Sequence, residues 1–160
     1  MQGFPFHLVR LLGVPHGARV LEIGCGQGAA LAALARRCAP SRLVGIDIDT
    51  QSLSRAERNL RDRGAACELI LGDARQIPFA DGAFDVVIDF GTCYHIGRAD
   101  DAISEIERVL AVGGRFVYET PVSQLMSHPI RSLGRRMPWP AGTVPRPSRR
   151  RLLWSSRVKG

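Results

Sequence analysis

Apolar residues follow two alternating patterns between residues 19 and 119. Short, nearly continuous apolar runs predict buried strands, whereas apolar residues spaced three or four apart predict amphipathic helices. The strands predicted in this way cover residues 19–23, 43–46, 67–71, 84–89 and 115–119. The helices predicted between them cover residues 27–38, 50–63 and about 103–110, with Thr50 as the N-cap of the second and Gly113-Gly114 as the turn after the third.

Strands that are apolar along their whole length and separated by helices are typical of a parallel sheet with both faces covered. The connections between the first three strands are long enough for helical crossovers. The predicted fold class is therefore α/β, a doubly wound, Rossmann-like, mainly parallel sheet. A helix over residues 123–134 and an extra C-terminal strand over residues 151–158 are further predictions.

The formal net charge of +7 is unevenly distributed along the chain. Residues 1–120 contain thirteen arginines and fifteen acidic residues, a net charge of −2, whereas residues 121–160 contain eight arginines, one lysine and no acidic residue, a net charge of +9. We therefore predict a nearly neutral domain over residues 1–120 and a basic, Pro- and Arg-rich C-terminal extension over residues 121–160. The run Arg149–Trp154 leaves three interpretations open: a solvated extension, contact with a nucleic-acid backbone, or contact with an anionic membrane.

The sequence has no pattern typical of a membrane span, a secretory leader or a metal site. No apolar run approaches the roughly 20 residues that a membrane-spanning helix needs, and the first residues lack a basic segment followed by an apolar one. The four cysteines stand singly, without a Cys-x-x-Cys pair, at Cys25, Cys38, Cys67 and Cys93. We therefore expect a cytoplasmic protein with reduced thiols and without a metal site.

A glycine-rich loop follows the first predicted strand, in the sequence Leu-Glu-Ile-Gly-Cys-Gly-Gln-Gly of residues 21–28. Glycines let the backbone turn sharply and approach a ligand closely, next to the N-terminus of the following helix. Cys25 is predicted to fill space within the turn, because no neighbouring group would activate its thiolate. Gly24, Gly26 and Ala29 also satisfy the dinucleotide pattern G-x-G-x-x-G/A, so the loop by itself leaves a nicotinamide cofactor open.

Acidic residues near three predicted strand ends favour a different ligand. Asp47 closes the second strand, where a carboxylate can accept both hydroxyl groups of a ribose, and Asp73 closes the third, where it can accept from an adenine amine. Glu22 lies two residues before the first glycine of the loop. Because carboxylates repel a pyrophosphate and attract an ammonium or a sulfonium, the three acids together indicate a cationic, nucleoside-like ligand. Taken singly, each aspartate could instead cap a helix, although Asp49 is the better candidate for that role.

These features resemble the successive motifs of class I S-adenosylmethionine-dependent methyltransferases, and most of all the group that includes the ubiquinone and menaquinone methyltransferases. The resemblance covers about residues 18–120 and is carried by Val20–Gly28, Asp47, Gly72–Ala74, Ile77–Phe79, Phe84–Val87 and Arg108–Phe116. It implies the sheet order 3-2-1-4-5 followed by an antiparallel hairpin. It also implies S-adenosyl-L-methionine as the cofactor and transfer of its methyl group to an acceptor.

The resemblance further implies roles for individual residues. Asp47 would hold the ribose, Asp73 the adenine amine and Glu22 the amino group of the methionine portion. Ile48 and Ile77 would sandwich the adenine. The full set of implied cofactor-binding residues is Glu22, Gly24, Cys25, Gly26, Gly28, Asp47, Ile48, Asp73, Ala74 and Phe90.

By the same resemblance, the segment after the fourth predicted strand would face the transferred methyl group. Methyl transfer from a sulfonium is an in-line displacement, so the protein chiefly holds the two reactants in line and excludes water. His95 is the candidate base for an acceptor that loses a proton. Tyr94 is the candidate for shaping the pocket or contacting the sulfonium with its ring face. A histidine that only packs or lines the substrate is the alternative for His95.

Missing motifs narrow the acceptor. No Asn/Asp-Pro-Pro-aromatic motif follows the fourth strand, which argues against methylation of adenine or glutamine amino groups. No Asp-Asn pair follows the fifth strand, which argues against a metal-dependent catechol methyltransferase. No double-glutamate loop occurs, which argues against methylation of protein arginine. We therefore predict a small or lipid-like acceptor, and a homodimer is one assembly that the sequence permits. Two other functions stay open. One is a nicotinamide-dependent oxidoreductase, and the other is a methyltransferase-like binding protein without catalysis, suggested by the short segments on either side of the motifs.

Overall fold

A computed structural model describes residues 13–93, 95–118 and 155–157 of the chain. Strands and helices alternate along the first of these stretches, as the apolar pattern predicts. In chain order the elements are β1 (Arg19–Ile23), α1 (Ala29–Cys38), β2 (Arg42–Asp47), α2 (Thr50–Asp62), β3 (Glu68–Leu71), β4 (Phe84–Asp89), α3 (Ala99–Val109), β5 (Leu110–Tyr118) and β6 (Ser155–Arg157).

The strands form one sheet in the order β3-β2-β1-β4-β5-β6. The first five strands pair in parallel, and β6 pairs with β5 antiparallel. The doubly wound fold, the order 3-2-1-4-5 and an additional C-terminal strand are therefore confirmed. Because β6 lies within residues 121–160, the predicted basic extension contributes an edge strand to the sheet. The boundary at residue 120 stays a prediction.

Two hydrophobic clusters cover the two faces of the sheet. Val20 of β1 and Val86 of β4 belong to the cluster that contains Leu31 of α1 and Leu60 of α2. The residues that alternate with them along the strands belong to the other cluster with Ile106 of α3. This alternation is the expected consequence of side chains that point to opposite faces along a strand. Both faces of the sheet are therefore packed with helices, so a ligand is expected at the ends of the strands.

Several element boundaries differ from the predictions; α3, for example, begins at Ala99 and not near residue 103. Three of the differences have an identifiable cause in the backbone. Helix α1 begins at Ala29, two residues late, because Gly28 precedes it in a left-handed conformation with φ of 71°. Asp49, and not Thr50, is the N-cap of α2, since its carboxylate accepts from the backbone N–H groups of Gln51 and Ser52. The aspartate offers two oxygens to the free N–H groups of the first helical turn.

The third difference concerns β5, which begins at Leu110 directly after α3. Leu110 pairs with Phe84, and the register then shifts before Val86 pairs with Arg115. Gly113 has φ of 77°, so it supplies the left-handed residue at this irregularity. The two glycines therefore lie inside the strand, and the prediction that they form a turn before it is wrong.

The structure describes the cysteines and the helices on which the expectations of reduced thiols and of no membrane span depend. All four cysteines are free thiols, and three of them are buried. No helix in the described part of the chain is both long and apolar enough to cross a bilayer. The helix predicted over residues 123–134 lies outside the described residues.

Candidate active site at the carboxyl edge of the sheet

The three glycines of the loop after β1 have left-handed backbones for different structural reasons. Their φ angles are 62°, 53° and 71° at Gly24, Gly26 and Gly28. A Cβ on Gly24 would fall 1.8 Å from the hydroxyl oxygen of Thr92, and one on Gly28 would fall 3.1 Å from the Cβ of Ala56. A Cβ on Gly26 would meet no atom of the described residues within 4 Å. Gly24 and Gly28 thus allow close packing within the protein, whereas Gly26 borders open space in which a ligand could approach the backbone.

Asp47, the last residue of β2, is oriented toward this loop. Its Oδ2 accepts the backbone N–H of Gly26 at 2.7 Å, and its Oδ1 accepts the backbone N–H of Asp49 at 3.0 Å. A carboxylate oxygen has two lone pairs, so each oxygen can accept a further hydrogen bond. The helix-cap alternative for Asp47 does not apply, because Asp49 fills that position.

Glu22 has a buried carboxyl oxygen without a hydrogen-bond partner. The residue is 4% exposed, and Oε2 is the only buried side-chain oxygen or nitrogen among the described residues that lacks a partner. Burial raises the pKa of Glu22 well above its ordinary value, and the negative charges of Asp89 and Asp47 raise it further, while a hydrogen bond from the backbone N–H of Leu31 lowers it. Because buried polar atoms are normally paired, the orphaned oxygen indicates a missing donor or cation.

Asp89 is a fourth acidic residue at this edge, and its role was not predicted from the sequence. It ends β4 as Asp47 ends β2, and that position was the available signal. Its carboxylate accepts the backbone N–H of Thr92 at 2.6 Å and of Cys93 at 3.2 Å. The side chain is 1% exposed. Burial raises the pKa of Asp89, while its amide donors lower it.

Asp73 lies two residues beyond β3 and is paired with Arg75, another residue that the sequence analysis missed. Arg75 Nη2 lies 2.5 Å from Asp73 Oδ2, and Arg75 Nε lies 2.9 Å from Asp73 Oδ1. The backbone N–H of Arg75 also donates to Oδ1, at 2.8 Å. Hydrogen bonds from the Arg75 side chain lower the pKa of Asp73. A ligand amine at Asp73 would share these oxygens with the guanidinium.

The residues expected to surround the adenine differ in exposure. Ile48 is 68% exposed, whereas Ile77 is 2% exposed and packs in the cluster beside α3. Only Ile48 of the predicted pair therefore offers a free aliphatic face. Ala74 is also buried, at 8% exposed.

Helix α3 holds the loop after β3 through Glu105 and Arg108. Arg108 donates to the carbonyl oxygens of Ile77 and Phe79 at 2.9 and 2.7 Å and to Asp81 at 2.9 Å. Glu105 pairs with Arg108 at 2.7 Å and accepts the backbone N–H of Ile77 at 2.8 Å. We refer to Glu105 and Arg108 as the α3 clamp. It fixes the loop that follows Asp73 against a rigid helix.

The remaining predicted residues lie around the same loops. Cys25 is 5% exposed, and burial together with Glu22 and Asp47 raises the pKa of its thiol. A thiol held in its neutral form is a poor nucleophile, as the sequence predicts. Phe90 is half-buried, and His95 is exposed, with its backbone N–H donating to the Thr92 carbonyl at 2.9 Å. Tyr94 lies outside the described residues.

The strand register brings the acidic residues to one edge. Ile23, directly after Glu22, is paired with Ile46 on one side and with Asp89 on the other. Asp47 is paired with Leu71, two residues before Asp73. The carboxyl ends of β3, β2, β1 and β4 therefore carry Asp73, Asp47, Glu22 and Asp89. This edge includes the crevice between β1 and β4, where the strand order reverses and where open α/β sheets bind ligands.

The chain is similar to proteins of known family over most of its length. The family model of the methyltransferase domain matches residues 21–118. A fatty-acid O-methyltransferase of Mycolicibacterium smegmatis is 37% identical over 102 residues, which are 64% of this chain and 36% of that protein. A ubiquinone/menaquinone biosynthesis C-methyltransferase of Pseudomonas putida is 37% identical over 126 residues, which are 74% of this chain and 49% of that protein.

A solved structure extends the comparison to the fold. The (4+2)-cyclase SpnF has a TM-score of 0.67 and 29% identity, over 71% of this chain and 43% of that one. This chain thus spans between about a third and a half of the length of these three proteins. Because the family model matches well over half of the chain, the chain belongs to the methyltransferase-domain family of class I, Rossmann-like fold, whose cofactor is S-adenosylmethionine.

Proposed function

We propose that this protein transfers a methyl group from S-adenosylmethionine to a small or lipid-like acceptor. The observation that carries the proposal is the buried, unpartnered Oε2 of Glu22. It lies one strand from Asp47, whose carboxylate orders the loop at Gly26. Gly26 itself borders open space. The site therefore combines an acid with one orphaned oxygen, a second acid and room for a ligand.

The electrostatics of this edge favour a cation. Glu22, Asp47 and Asp89 stand at or near the ends of three neighbouring strands, and the same low-dielectric surroundings that disfavour ionised acids strengthen their attraction to a positive ligand. A dinucleotide would bring its pyrophosphate to the same glycine loop, where the acids would repel it. The residues present fit the sulfonium and ammonium of S-adenosylmethionine better than they fit a nicotinamide dinucleotide.

Residues at the ends of β1, β2 and β3 would hold successive parts of the cofactor, from the methionine portion to the adenine. Glu22 would accept from the ammonium of the methionine portion, and Asp47 would accept from the ribose hydroxyls with the lone pairs left by Gly26 and Asp49. Ile48 would cover one face of the adenine. Asp73 would accept the adenine amine while remaining paired with Arg75. The rest of the proposed set consists of Gly24, Cys25, Gly26, Gly28, Ala74 and Phe90.

The bound cofactor would supply a methyl group that is already activated by the positive sulfur. The chain therefore needs to align the acceptor and exclude water. We propose that the segment with Tyr94 and His95 forms the acceptor side, because it follows β4 at the same crevice. His95 would take a proton only from an acceptor that must lose one.

The acceptor class rests on the relatives and on the absence of other acceptor motifs. Two relatives are named for fatty acids and for ubiquinone/menaquinone biosynthesis, which supports a lipid-like acceptor. A cytoplasmic location is proposed as well, supported by the four free thiols. Contacts of the basic extension and a homodimer remain predictions.

Transfer of a radiolabelled methyl group tests the proposed function. Purified protein is incubated with labelled S-adenosylmethionine and a panel of fatty acids, quinone precursors and small phenols. We expect label to enter at least one acceptor, with stoichiometric release of S-adenosylhomocysteine. Asp47→Ala should lose about 1–3 kcal/mol of cofactor affinity, the scale for charge-assisted hydrogen bonds.

Two results would argue against this proposal. Unchanged cofactor affinity in Asp47→Ala would remove the ribose assignment. Conversion of an acceptor without release of S-adenosylhomocysteine would indicate chemistry without methyl transfer, for which the similar cyclase provides a precedent on this fold.

A further inference from the structure

The loop after β4 is joined to the glycine loop by the side chain of Thr92. The Thr92 hydroxyl donates to the carbonyl oxygen of Ile23 at 3.1 Å, across 69 positions of sequence. The same side chain lies over Gly24, where an added Cβ would fall 1.8 Å from Oγ1 and 2.7 Å from the Cβ and Cγ2 of Thr92. The two loops are thus in direct van der Waals contact as well as hydrogen-bonded.

Asp89 fixes Thr92 from the other side. Its carboxylate accepts the backbone N–H of Thr92 at 2.6 Å and that of Cys93 at 3.2 Å. These bonds turn the chain back over the end of β4 immediately after the strand. Because Asp89 is 1% exposed, water does not compete for the two amides. We refer to Asp89, Thr92 and the Ile23 carbonyl as the Asp89–Thr92 link.

The Asp89–Thr92 link lies at the crevice between the carboxyl ends of β1 and β4, where a ligand is expected to bind. Strands β1 and β4 are neighbours in the sheet, but the chain leaves them toward opposite faces, so the crevice at the strand-order reversal opens between their carboxyl ends. The loop after β1 forms one wall of that crevice and the loop after β4 forms the other. The link joins the two walls at their base.

We propose that Asp89 and Thr92 are positioning residues that set the separation of the two walls of the cofactor crevice. The inference rests on the proposed function for the identity of the ligand. Without the hydroxyl of Thr92, the glycine loop loses its hydrogen bond to the loop after β4, while its other hydrogen bonds, from Gly26 to Asp47 and from Cys25 to the Ile46 carbonyl, remain. The loop then samples positions in which its backbone no longer matches the ligand.

Two variants of Thr92 separate this role from simple packing. Thr92→Val keeps the branched shape and removes the hydroxyl, whereas Thr92→Ser keeps the hydroxyl and removes the methyl group. The first measurement is amide hydrogen exchange of residues 22–30 in the ligand-free protein. We expect Thr92→Val to speed exchange of the loop amides about fivefold, the scale of one lost hydrogen bond, and Thr92→Ser to match the wild type.

The second measurement is the dissociation constant of S-adenosylhomocysteine by calorimetry, with thermal unfolding of each variant as the check on folding. Thr92→Val should bind about five- to tenfold more weakly, and Thr92→Ser should bind like the wild type. The reverse ranking, with Ser impaired and Val normal in both measurements, would overturn the proposal in favour of packing. Equal exchange and equal affinity in all three proteins would overturn it as well.

The two measurements also distinguish this inference from the proposed function. If the wild type does not bind S-adenosylhomocysteine, the cofactor assignment fails. Hydrogen exchange of the ligand-free protein still decides whether the Thr92 hydroxyl holds the glycine loop.

Discussion

Glu22 carries an electrostatic cost that the folded chain without a ligand offsets only in part, through the backbone N–H of Leu31. Its carboxyl is buried, one of its oxygens has no partner, and the charges of Asp89 and Asp47 lie nearby. A purely structural position of this kind would be better filled by an apolar residue, since burying an unpaired acid destabilises a protein. The cost is understandable if a cationic ligand provides the missing partner.

Replacement of Glu22 by Gln should therefore affect stability and binding in opposite directions. The pKa of Glu22 is raised in the folded protein, so the native state binds the extra proton and loses stability as the pH rises above the ordinary carboxyl range of about 4–5. Glu22→Gln removes this loss, and we expect its melting temperature to exceed that of the wild type at pH 8 and to converge with it near pH 4.5. Its affinity for S-adenosylhomocysteine should fall by about 1–3 kcal/mol.

Thermal melts across pH 4.5–8 and calorimetric titrations measure the two effects. Glu57→Gln, at an exposed position on α2, serves as the control and should change neither. A lower melting temperature for Glu22→Gln at pH 8 would contradict the assignment of Glu22 as a buried acid with one oxygen left for a ligand.

Single residues of the site were only partly predictable from the sequence. Asp47 could be assigned because it closes an apolar strand at the expected distance from the glycines. Asp89 closes a strand too, but its partners are backbone amides of a turn that no sequence pattern reveals. Arg75 was missed because its ion pair with Asp73, two residues earlier, depends on the geometry of the two side chains and not on their spacing in the sequence.

At the scale of elements, the α3 clamp shows how a helix far along the chain supports the site. Arg108 makes bonds to two carbonyls and two carboxylates, and Glu105 accepts the backbone N–H of Ile77. A planar guanidinium with five donors can satisfy such a set, and an ammonium cannot. The clamp therefore determines where the loop between β3 and β4 lies relative to Asp73.

Arg108→Lys should lower the free energy of unfolding by about 1–3 kcal/mol, because at least two charge-assisted hydrogen bonds are lost at a half-buried position. Urea denaturation measures the change. Arg61→Lys is the matched control, since Arg61 forms an exposed pair with Glu57 within α2, and no measurable change is expected there. Equal stability of the Arg108→Lys variant and the wild type would mean that the clamp contributes nothing to the fold.

The elements themselves were predictable with small errors. The strands β1 and β4 have the predicted bounds, because unbroken apolar runs between turn residues have few other interpretations. Errors arose where backbone geometry overrides composition. Gly113 lies in a strand irregularity, and Gly28 delays the start of α1, because a left-handed glycine can serve a bulge, a turn or a helix entrance equally well.

At the scale of the whole molecule, the order of strands and helices along the chain determines the fold, and the fold determines which acidic side chains become neighbours. Residues 1–120 have a net charge of only −2, yet four acidic side chains meet at one edge because parallel strands end there. The sequence contains those acids at intervals along 68 positions, and only the strand order makes them neighbours. The acceptor does not follow from the fold in the same way, because methyl transfer from a sulfonium requires alignment and exclusion of water and no particular type of catalytic residue.

The central claim is that this edge binds an adenosyl sulfonium compound and not a dinucleotide. Calorimetric titration of the wild-type protein with S-adenosylhomocysteine and, separately, with NADH tests it most directly. The account predicts saturable, one-to-one binding of S-adenosylhomocysteine and no heat of binding with NADH at the same concentrations. Binding of NADH with no binding of S-adenosylhomocysteine would contradict it.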